Sequence, residues 1–331
     1  MAGSSGGEAL LNRIRRWVGV VLGCGFAGLA SAQGYPTQPI RLIVPWPPGG
    51  GVDTSARIIS QPFAERLGQS IVIDNKPGAA GNIGTEQAAR AKPDGYTLLM
   101  GSVSPNAINP HLYARLGFEP VKDFAPIALV ASVPNVLVVP ANSPFHSVQE
   151  LVAMAKANPG KLNYGSGGVG SSQHLATEMF KRATGVDIVH VPYKGTAPAE
   201  LGLMSGDVAL LLDTTACLPF IAAGKMKALA VASRQRNLAL PNVPTLVELG
   251  VPGVYAGAWY GVMAPAGTPR EIVERLNREL NAVLASPDMK KRMVEFGAEI
   301  GGGSPESFGQ FMASELKRYA EVVKLSGAKV E

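Results

Sequence analysis

The stretch IRLIVPWPPGGGVDTSARII, residues 40–59, joins an apolar, β-prone run to a glycine-rich turn and a helical pattern. The two Pro and three Gly residues at 47–51 end the strand-like run, because Pro lacks a backbone N–H group and Gly favours turns. The first backbone N–H groups of a helix have no intrahelical partner and attract anions. The stretch therefore predicts a strand–turn–helix unit that holds something anionic.

The same strand–turn–helix unit recurs at residues 70–91, 161–184 and 186–206. Further β-prone runs, among them YTLLMGS, NVLVVPA and WYGVMAPA, stand between or after these units. Strands that alternate with short helices are typical of an α/β fold with a parallel sheet.

Two strand-like segments have the pattern of crossovers between two halves of the chain. We expect the chain to leave the first half near Pro134 and to return near Ala258. This predicts lobe 1 at 33–134 plus 258–331 and lobe 2 at 135–257. Each lobe then contains two of the units, and four helix N-termini face one cleft at the carboxyl ends of the strands.

Residues 1–32 have the pattern of a cleavable secretory signal. A basic start with three Arg residues precedes an apolar run at 17–30, and the ASA at 30–32 is a cleavage pattern. The run is too short for a comfortable membrane span, although an uncleaved anchor is one alternative. Lipidation at Cys24 is another, because VLGC resembles a lipobox. We expect a periplasmic protein that begins at Gln33 after cleavage behind Ala32.

Charge and cysteine content exclude several classes of protein. Loss of the signal removes three Arg and one Glu and lowers the net charge from +5 to +3, without any Lys/Arg block that would indicate nucleic-acid binding. Cys217 is the only Cys after residue 32, which excludes an intrachain disulfide and a Cys zinc site in the mature chain. The His residues lack metal-ligand spacing, and we predict neither metal nor cofactor.

The motifs of nucleotide-binding proteins and hydrolases are incomplete. No Lys follows Gly51, as a P-loop requires. Gly165, Gly167 and Gly170 form G-x-G-x-x-G, but the next strand ends in HVPYKG without the acidic residue of a dinucleotide site. The only G-x-S-x-G pattern lies at residues 3–7, inside the expected signal.

Four loops rich in small and neutral polar residues remain, at 49–51, 78–84, 165–172 and 195–197. Gly allows the backbone to approach a ligand closely, and each following helix carries roughly +0.5 of a charge at its N-terminus. Such loops, poor in fixed cations, suit a small carboxylate bound by backbone N–H groups and neutral side chains.

Motifs along residues 35–331 occur in the order VPWPPGGGVDTSAR, NKPGAAGNIG, KPDGYTLL, GSGGVGSSQHLA, VPYKGTAPA, GKMKALAV and WYGVMAPAGTP. Together they resemble the Bug, or TctC-like, family of periplasmic solute receptors for tripartite tricarboxylate transporters. The resemblance implies a type II periplasmic binding protein. Its two α/β lobes, each a mostly parallel sheet flanked by helices, are joined by two crossing strands and close on a small ligand. It also implies carboxylate capture by loop amides and ordered waters, and a membrane permease as partner.

The resemblance also implies a set of ligand-binding positions on the facing loops of both lobes. These positions are Pro48, Gly49, Gly50, Asp53, Gly78, Ala79, Asn82, Ile83, Ser166, Gly167, Gly170, Ser171, His174, Lys194, Gly195, Thr196, Ala197 and Asp213. Two residues beside the expected cleft depart from the family pattern. They are Gly51, where members often carry another residue, and Cys217.

These observations predict a monomeric receptor for a small organic carboxylate, without catalytic residues. Dicarboxylates, tricarboxylates, amino acids, aromatic acids and amides all fit the pattern of the loops. One alternative is an enzyme that acts on a small acid, with His174 or Asp53 as general base. A second alternative is a receptor for an inorganic oxyanion, which helix N-termini also bind.

The signal pattern generates a first testable prediction. We expect N-terminal sequencing of the exported protein to give Gln33 as the first residue. An N-terminus at Met1, or a diacylated Cys24, would contradict the predicted cleavage.

Overall fold

The computed structural model describes residues 34–328, so the predicted signal at 1–32, with Cys24 and the cleavage position, and Gln33 lie outside the described residues. The chain divides into a unit at Met1–Thr37, described only from residue 34, and a unit at Gln38–Glu331 that contains every helix and strand named below. Within the described range, none of the helices has the length and apolar character needed to cross a membrane.

The strands of the larger unit are numbered in chain order. They are β1 (Ile40–Val44), β2 (Ile71–Asn75), β3 (Thr97–Ser102), β4 (Phe124–Pro134), β5 (Val136–Pro140), β6 (Asn163–Ser166), β7 (Val189–Pro192), β8 (Leu211–Asp213), β9 (Met226–Val231), β10 (Gly257–Pro265) and β11 (Glu299–Gly302).

The α-helices are numbered in the same way. They are α1 (Gly51–Leu67), α2 (Asn82–Ala89), α3 (Val148–Ala157), α4 (Ser172–Thr184), α5 (Thr196–Ser205), α6 (Leu218–Ala222), α7 (Arg270–Leu284), α8 (Pro287–Glu295) and α9 (Pro305–Ser326). A π-helical turn at Ser104–Ile108 follows β3.

The four predicted strand–turn–helix units are confirmed as β1–α1, β2–α2, β6–α4 and β7–α5. The residues that directly precede these helices are Gly50, Gly81, Ser171 and Gly195, so every turn ends in Gly or Ser. The sequence did not predict α8 or β11.

The larger sheet has the strand order β11–β4–β10–β3–β1–β2. β1 pairs in parallel with β2 and β3, whereas β10 is antiparallel to β3 and β4, and β11 is antiparallel to β4. The α/β class is confirmed, but the expectation of mostly parallel pairing is wrong in this sheet. The reason is that β4 leads out of the sheet and β10 leads back into it, so these neighbours run in opposite directions.

The second half of the fold contains β5 between β8 and β9, antiparallel to both, and a parallel pair formed by β6 and β7. A parallel bridge between Tyr164 and Leu210 joins this pair to the residues before β8. Pairing is therefore mixed here as well, because β5 is antiparallel to both of its neighbours whereas β6 and β7 are parallel.

Asn135 is the single residue between β4 and β5, and it joins the two sheets by hydrogen bonds. Its backbone N–H donates to the Ala256 carbonyl at 2.9 Å, and its carbonyl accepts from the Ala232 N–H at 2.8 Å. Its side-chain amide donates to the Leu212 carbonyl at 2.8 Å. The two strands that cross between the sheets are thereby fixed side by side.

Helices pack on the larger sheet through apolar faces. Leu276 and Leu280 of α7 are fully buried, and Phe308 of α9 lies edge-on to Trp259 of β10, with ring centroids 5.8 Å apart. Burial of each such side chain contributes roughly 1.5–3 kcal/mol. The contact between Phe308 and Trp259 holds β10, and with it one wall of the cleft described below.

Close packing at the start of α2 generates the second prediction. A Cβ atom at Gly84 would lie 2.6 Å from the Lys76 carbonyl oxygen and 2.9 Å from the Pro45 Cα. We expect Gly84→Ala to lower the free energy of unfolding by about 1–3 kcal/mol, because backbone atoms have to move. Gly309→Ala in α9 is the matched control, since its Cβ would meet Pro126 at 3.4 Å and Ala favours a helix by about 1 kcal/mol. Urea unfolding measures the free energy of unfolding of both variants. Equal stabilisation by Gly84→Ala and Gly309→Ala would contradict the close packing at Gly84.

Candidate ligand-binding site

A cavity, here called the inner cavity, lies where the larger sheet meets the loops before α4 and α5. The space between its walls is about 480 Å³ with the open side included. Its lining comes from the loop between β1 and α1, the end of β3, the first residues of α4 and α5, Thr214 after β8, and Ala258 and Tyr260 of β10.

Three α-helices begin at the inner cavity. Gly50 and Gly195, which precede α1 and α5, provide no side-chain cap, and the Ser171 hydroxyl accepts from the His174 N–H of α4. The other N–H groups of the first turns have no intrahelical partner, and each helix end carries roughly +0.5 of a charge. The three ends together favour an anion in the cavity.

Neutral groups provide the side-chain hydrogen bonds of the inner cavity. The described lining residues include no Lys, Arg, His, Asp or Glu. Their polar side chains are Trp46, Ser102, Ser104, Ser171, Ser172, Gln173, Thr196, Thr214 and Tyr260. An anion bound here would therefore interact with helix ends, hydroxyls and amides rather than with a cation.

A wider space of about 1000 Å³, here called the outer opening, adjoins the inner cavity and shares Trp46 and Pro47 with it. Residues before α2 and before α5 line this space, and Lys194 contributes a cation to it. The sequence predicted four helix N-termini at one cleft. Three of them reach the inner cavity, whereas the loop before α2 borders the outer opening instead.

The two sides of the cleft meet at Gly residues. A Cβ atom at Gly195 would lie 2.9 Å from Pro47 Cγ, and one at Gly50 would lie 3.5 Å from Thr196 Cβ. Gly195 also has φ +123°, which favours Gly over other residues. The loop before α1 thus contacts the loop before α5 closely over the cavity.

Asp53 fixes the loop before α1 rather than lining the cavity. Its carboxylate accepts from the Gly49 N–H at 3.0 Å, from Arg57 Nε at 2.8 Å and from Asn75 Nδ2 at 3.0 Å. Burial acts to raise the pKa of Asp53, but the hydrogen bonds from Arg57, Gly49 and Asn75 bring it below its ordinary value. A carboxylate this well paired is a poor general base.

His174 belongs to a stack of rings behind the loop before α4. Its ring lies 4.3 Å from that of His190, which in turn lies 4.7 Å from that of Tyr164. His174 Nδ1 accepts from the Gly170 N–H at 3.3 Å. Burial, with a smaller effect of Lys181, lowers the pKa of His174 to about 4. The imidazole is therefore neutral at pH 7 and supports the loop.

Asp213 is fully buried and forms a carboxyl pair with Glu200 of α5. Its Oδ1 accepts from Gln173 Nε2 and from the Thr214 N–H, at 2.7 Å for the latter. Burial and the neighbouring Asp213 raise the pKa of Glu200, so the two carboxyl groups share a proton at neutral pH. The pair orients Gln173, which reaches the cavity in place of Asp213.

The predicted ligand-binding positions divide into three groups. The inner cavity is lined by Pro48, Gly50, Ser171, Thr196 and Ala197. The outer opening is lined by Gly78, Ala79, Gly167, Lys194 and Gly195. Neither lining includes Gly49, Asp53, Asn82, Ile83, Ser166, Gly170, His174 or Asp213. The assignment of these residues to ligand contacts stays a prediction.

Several residues of the third group have partners within the protein. Asn82 Oδ1 accepts from Asn109 Nδ2 at 2.6 Å, and the Ser166 hydroxyl lies 2.7 Å from His190 Nε2. Ile83 is mostly exposed beside Gly78. Asn82 and Ser166 therefore support their loops through partners within the protein.

Sequence reasoning missed several lining residues, notably Trp46, Gln173, Thr214 and Tyr260. Trp46 and Tyr260 lie within the motifs that carried the family resemblance, and Trp46 Nε1 donates to the Ser102 hydroxyl at 3.2 Å. The signal that could have found Trp46 is its place just after β1 and beside a Gly-rich loop, whereas Tyr260 lies within β10, where no local signal marks it.

Comparison with protein families shows the family to which the chain belongs. The model of the tripartite tricarboxylate transporter family receptor, TctC, matches residues 55–327. The chain belongs to this family. The receptor is also 38% identical to Bordetella pertussis protein BugT over 324 residues, which are 97% of this chain and 99% of BugT. The resemblance predicted from the sequence motifs is confirmed.

Solved structures support the same fold. An R. palustris protein solved with adipate is 41% identical, with a TM-score of 0.87 over 89% of the receptor and 100% of that chain. The periplasmic binding protein BugD is 37% identical (TM-score 0.85; 90% and 100% covered). MatC from Rhodopseudomonas palustris, with bound malate, is 33% identical (TM-score 0.83; 87% and 100% covered). The receptor has the α/β periplasmic binding protein fold, and its family is one of solute-binding proteins rather than enzymes.

The stacked His rings generate the third prediction. Both rings have a pKa of about 4, lowered mainly by burial, whereas an unfolded His has a pKa near 6.5. Between these values the unfolded chain binds more protons, so the stability contributed by the neutral rings is present above pH 6.5 and is lost as the pH falls toward 4. For His174 this loss amounts to roughly 3 kcal/mol.

We expect His174→Gln to reduce the loss of folding stability at acid pH. Urea unfolding at pH 7, 5.5 and 4.5 measures this loss. The Glu200–Asp213 pair acts in the opposite direction, because its raised pKa values favour the folded state as the pH falls. The difference between variant and wild type isolates the His effect. His146→Gln removes an exposed imidazole and is the control. An unchanged pH profile in His174→Gln would contradict the prediction.

Proposed function

We propose that the receptor binds a small organic carboxylate in the inner cavity and delivers it unchanged to the membrane permease of a tripartite tricarboxylate transporter. The observation that carries this proposal is the convergence of three helix N-termini on a cavity whose described lining residues include no charged side chain. A carboxylate fits this arrangement because its oxygens accept several hydrogen bonds from backbone N–H groups at once.

The strength of such binding comes from several modest contributions. Each helix N-terminus favours a negative charge by typically 0.3–1 kcal/mol when exposed and by up to about 2 kcal/mol when partly buried. Hydrogen bonds to a charged group add about 1.5–3 kcal/mol each. Three helix ends and a few hydroxyl groups therefore suffice for tight binding without a salt bridge.

Similarity to proteins with known ligands supports an organic acid. The R. palustris protein was solved with adipate and MatC with malate, and both compounds are short dicarboxylates. Short dicarboxylates are therefore the first candidates as ligands of this receptor.

The two sheets suggest how the ligand enters and leaves. We propose that residues 33–134 with 258–331 and residues 135–257 are two lobes that open about the crossing strands near Asn135. Opening separates the loop at 47–51 from the loop at 195–197, which contact each other over the cavity. Hinge motion of this kind is the usual mechanism of periplasmic binding proteins. The proposed mature receptor, released by cleavage after Ala32, acts as a monomer in the periplasm.

The fourth prediction tests binding and the role of the contact between the loops. We expect calorimetry with succinate, malate, adipate, citrate, butyrate and hexanoate to detect at least one bound acid. Gly195→Val should abolish this binding, because the new side chain would overlap Pro47 and strain a backbone with φ +123°. Gly224→Val is the matched control, since Gly224 also has positive φ (+67°) but no atom within 4 Å of its Cβ position.

Circular dichroism should show that both Gly variants are folded. Binding of sulfate or phosphate in preference to every organic acid would support the oxyanion alternative instead. Conversion of a bound acid to a product would contradict a receptor function altogether.

A further inference from the structure

Gly51, the first residue of α1, lies directly against the hydroxyl of Tyr260. A Cβ atom at position 51 would overlap this hydroxyl and would lie 3.2 Å from Tyr260 Cζ and 3.3 Å from Thr214 Oγ1. Gly51 itself has no positive φ that would require Gly. The absence of a side chain at position 51 therefore serves to make room for the Tyr260 hydroxyl at the cavity wall.

The hydroxyl of Tyr260 lies beside that of Thr214 at the cavity wall. The Thr214 hydroxyl oxygen accepts from the Ala216 N–H at 3.4 Å and is hydrogen-bonded to Tyr260. A hydroxyl group has one proton and two acceptor lone pairs, so Thr214 can donate its own proton to the phenol oxygen while it accepts from Ala216. In that arrangement the phenol proton of Tyr260 can be donated to a ligand oxygen in the cavity.

The protonation state of Tyr260 agrees with a donor role. Burial, together with the nearby Asp213 carboxylate, raises the pKa of Tyr260, and the hydrogen bond with Thr214 only partly opposes this rise. The phenol therefore keeps its proton throughout the physiological range. It offers one neutral O–H group at a position without a neighbouring cation among the described lining residues.

Three parts of the fold meet at this donor. Gly51 begins α1, Thr214 follows β8 of the second sheet, and Tyr260 lies on the crossing strand β10. All three line the inner cavity. A ligand oxygen that reaches this point would accept the Tyr260 proton, whereas a methylene group there offers no acceptor and lacks this hydrogen bond.

Building on the carboxylate-receptor function proposed above, we propose that Tyr260 is a specificity-determining residue. It selects acids that carry a second oxygen acceptor, such as a second carboxylate, over acids of the same length with an apolar end. Gly51 is required for this selection because any side chain there would displace the hydroxyl.

The first test measures selectivity in Tyr260→Phe. The probes are the matched pairs succinate with butyrate and adipate with hexanoate, measured by calorimetry on the full mature chain. We expect Tyr260→Phe to weaken the better dicarboxylate about tenfold or more and the matching monocarboxylate less than twofold. Tyr319→Phe is the control, since it removes a hydrogen bond to the Gly257 carbonyl at the start of the same strand, away from the inner cavity.

The second test asks whether the hydroxyl occupies the space beside position 51. Gly51→Ala should weaken binding of the preferred acid at least tenfold in the wild type, because the Tyr260 hydroxyl has to move. In the Tyr260→Phe background, Gly51→Ala should weaken binding less than threefold. Without the Tyr260 hydroxyl, the atoms nearest to the new Cβ would be 3.2–3.3 Å away.

The outcomes separate this inference from the function on which it rests. If the wild type binds none of the acids, the proposed function fails and the role of Tyr260 fails with it. If the wild type binds an acid but Tyr260→Phe weakens both members of a pair equally, or neither, only the role of Tyr260 is overturned. An equal cost of Gly51→Ala in both backgrounds would also overturn it.

Discussion

The carboxylate of Asp53 connects the loop, the helix and the strand on which the proposed binding site depends. It accepts hydrogen bonds from Gly49, Arg57 and Asn75, and Asn75 also donates to the Trp46 carbonyl. These bonds attach the Gly-rich loop both to its own helix and to the end of β2. Gly loses more conformational freedom on ordering than other residues, so a loop of this composition needs such fixed contacts. The direction in which α1 presents its N–H groups thus depends on a residue outside the cavity.

The proposed anion site, which has no cation among its described lining residues, follows a consistent physical logic. A carboxylate that leaves water loses several kcal/mol of hydration, which the pocket has to replace. A guanidinium group would replace it with strong bidentate bonds, whereas helix ends and hydroxyls provide many weaker ones. The weaker bonds suit a receptor that must also release its ligand. The proton shared by Glu200 and Asp213 has a related effect, because it leaves one negative charge rather than two behind Gln173.

The local sequence determined the four strand–turn–helix units and the composition of their loops. Each unit depends on an apolar run, a turn of small residues and a helical pattern within one short segment, and such short-range signals survive in any fold. The α/β class and the family resemblance followed from them. The mixed pairing of the sheets did not, because alternation along a strand shows which residues share a face but not which strand lies beside it.

Tertiary structure alone decided which side chains line the inner cavity. Asp53, His174 and Asp213 carry the reactive groups of their loops, yet each is held by partners within the protein and none belongs to the lining of the cavity. Gly51 and Tyr260 are far apart in the chain and meet only because β10 returns antiparallel beside β3, which in turn pairs with β1. The sequence by itself therefore determined the Gly-rich helix N-termini that suit an anion. The packing of distant strands determined which neutral side chains line the inner cavity with them, since contacts over such distances depend on strand order and register rather than on local pattern.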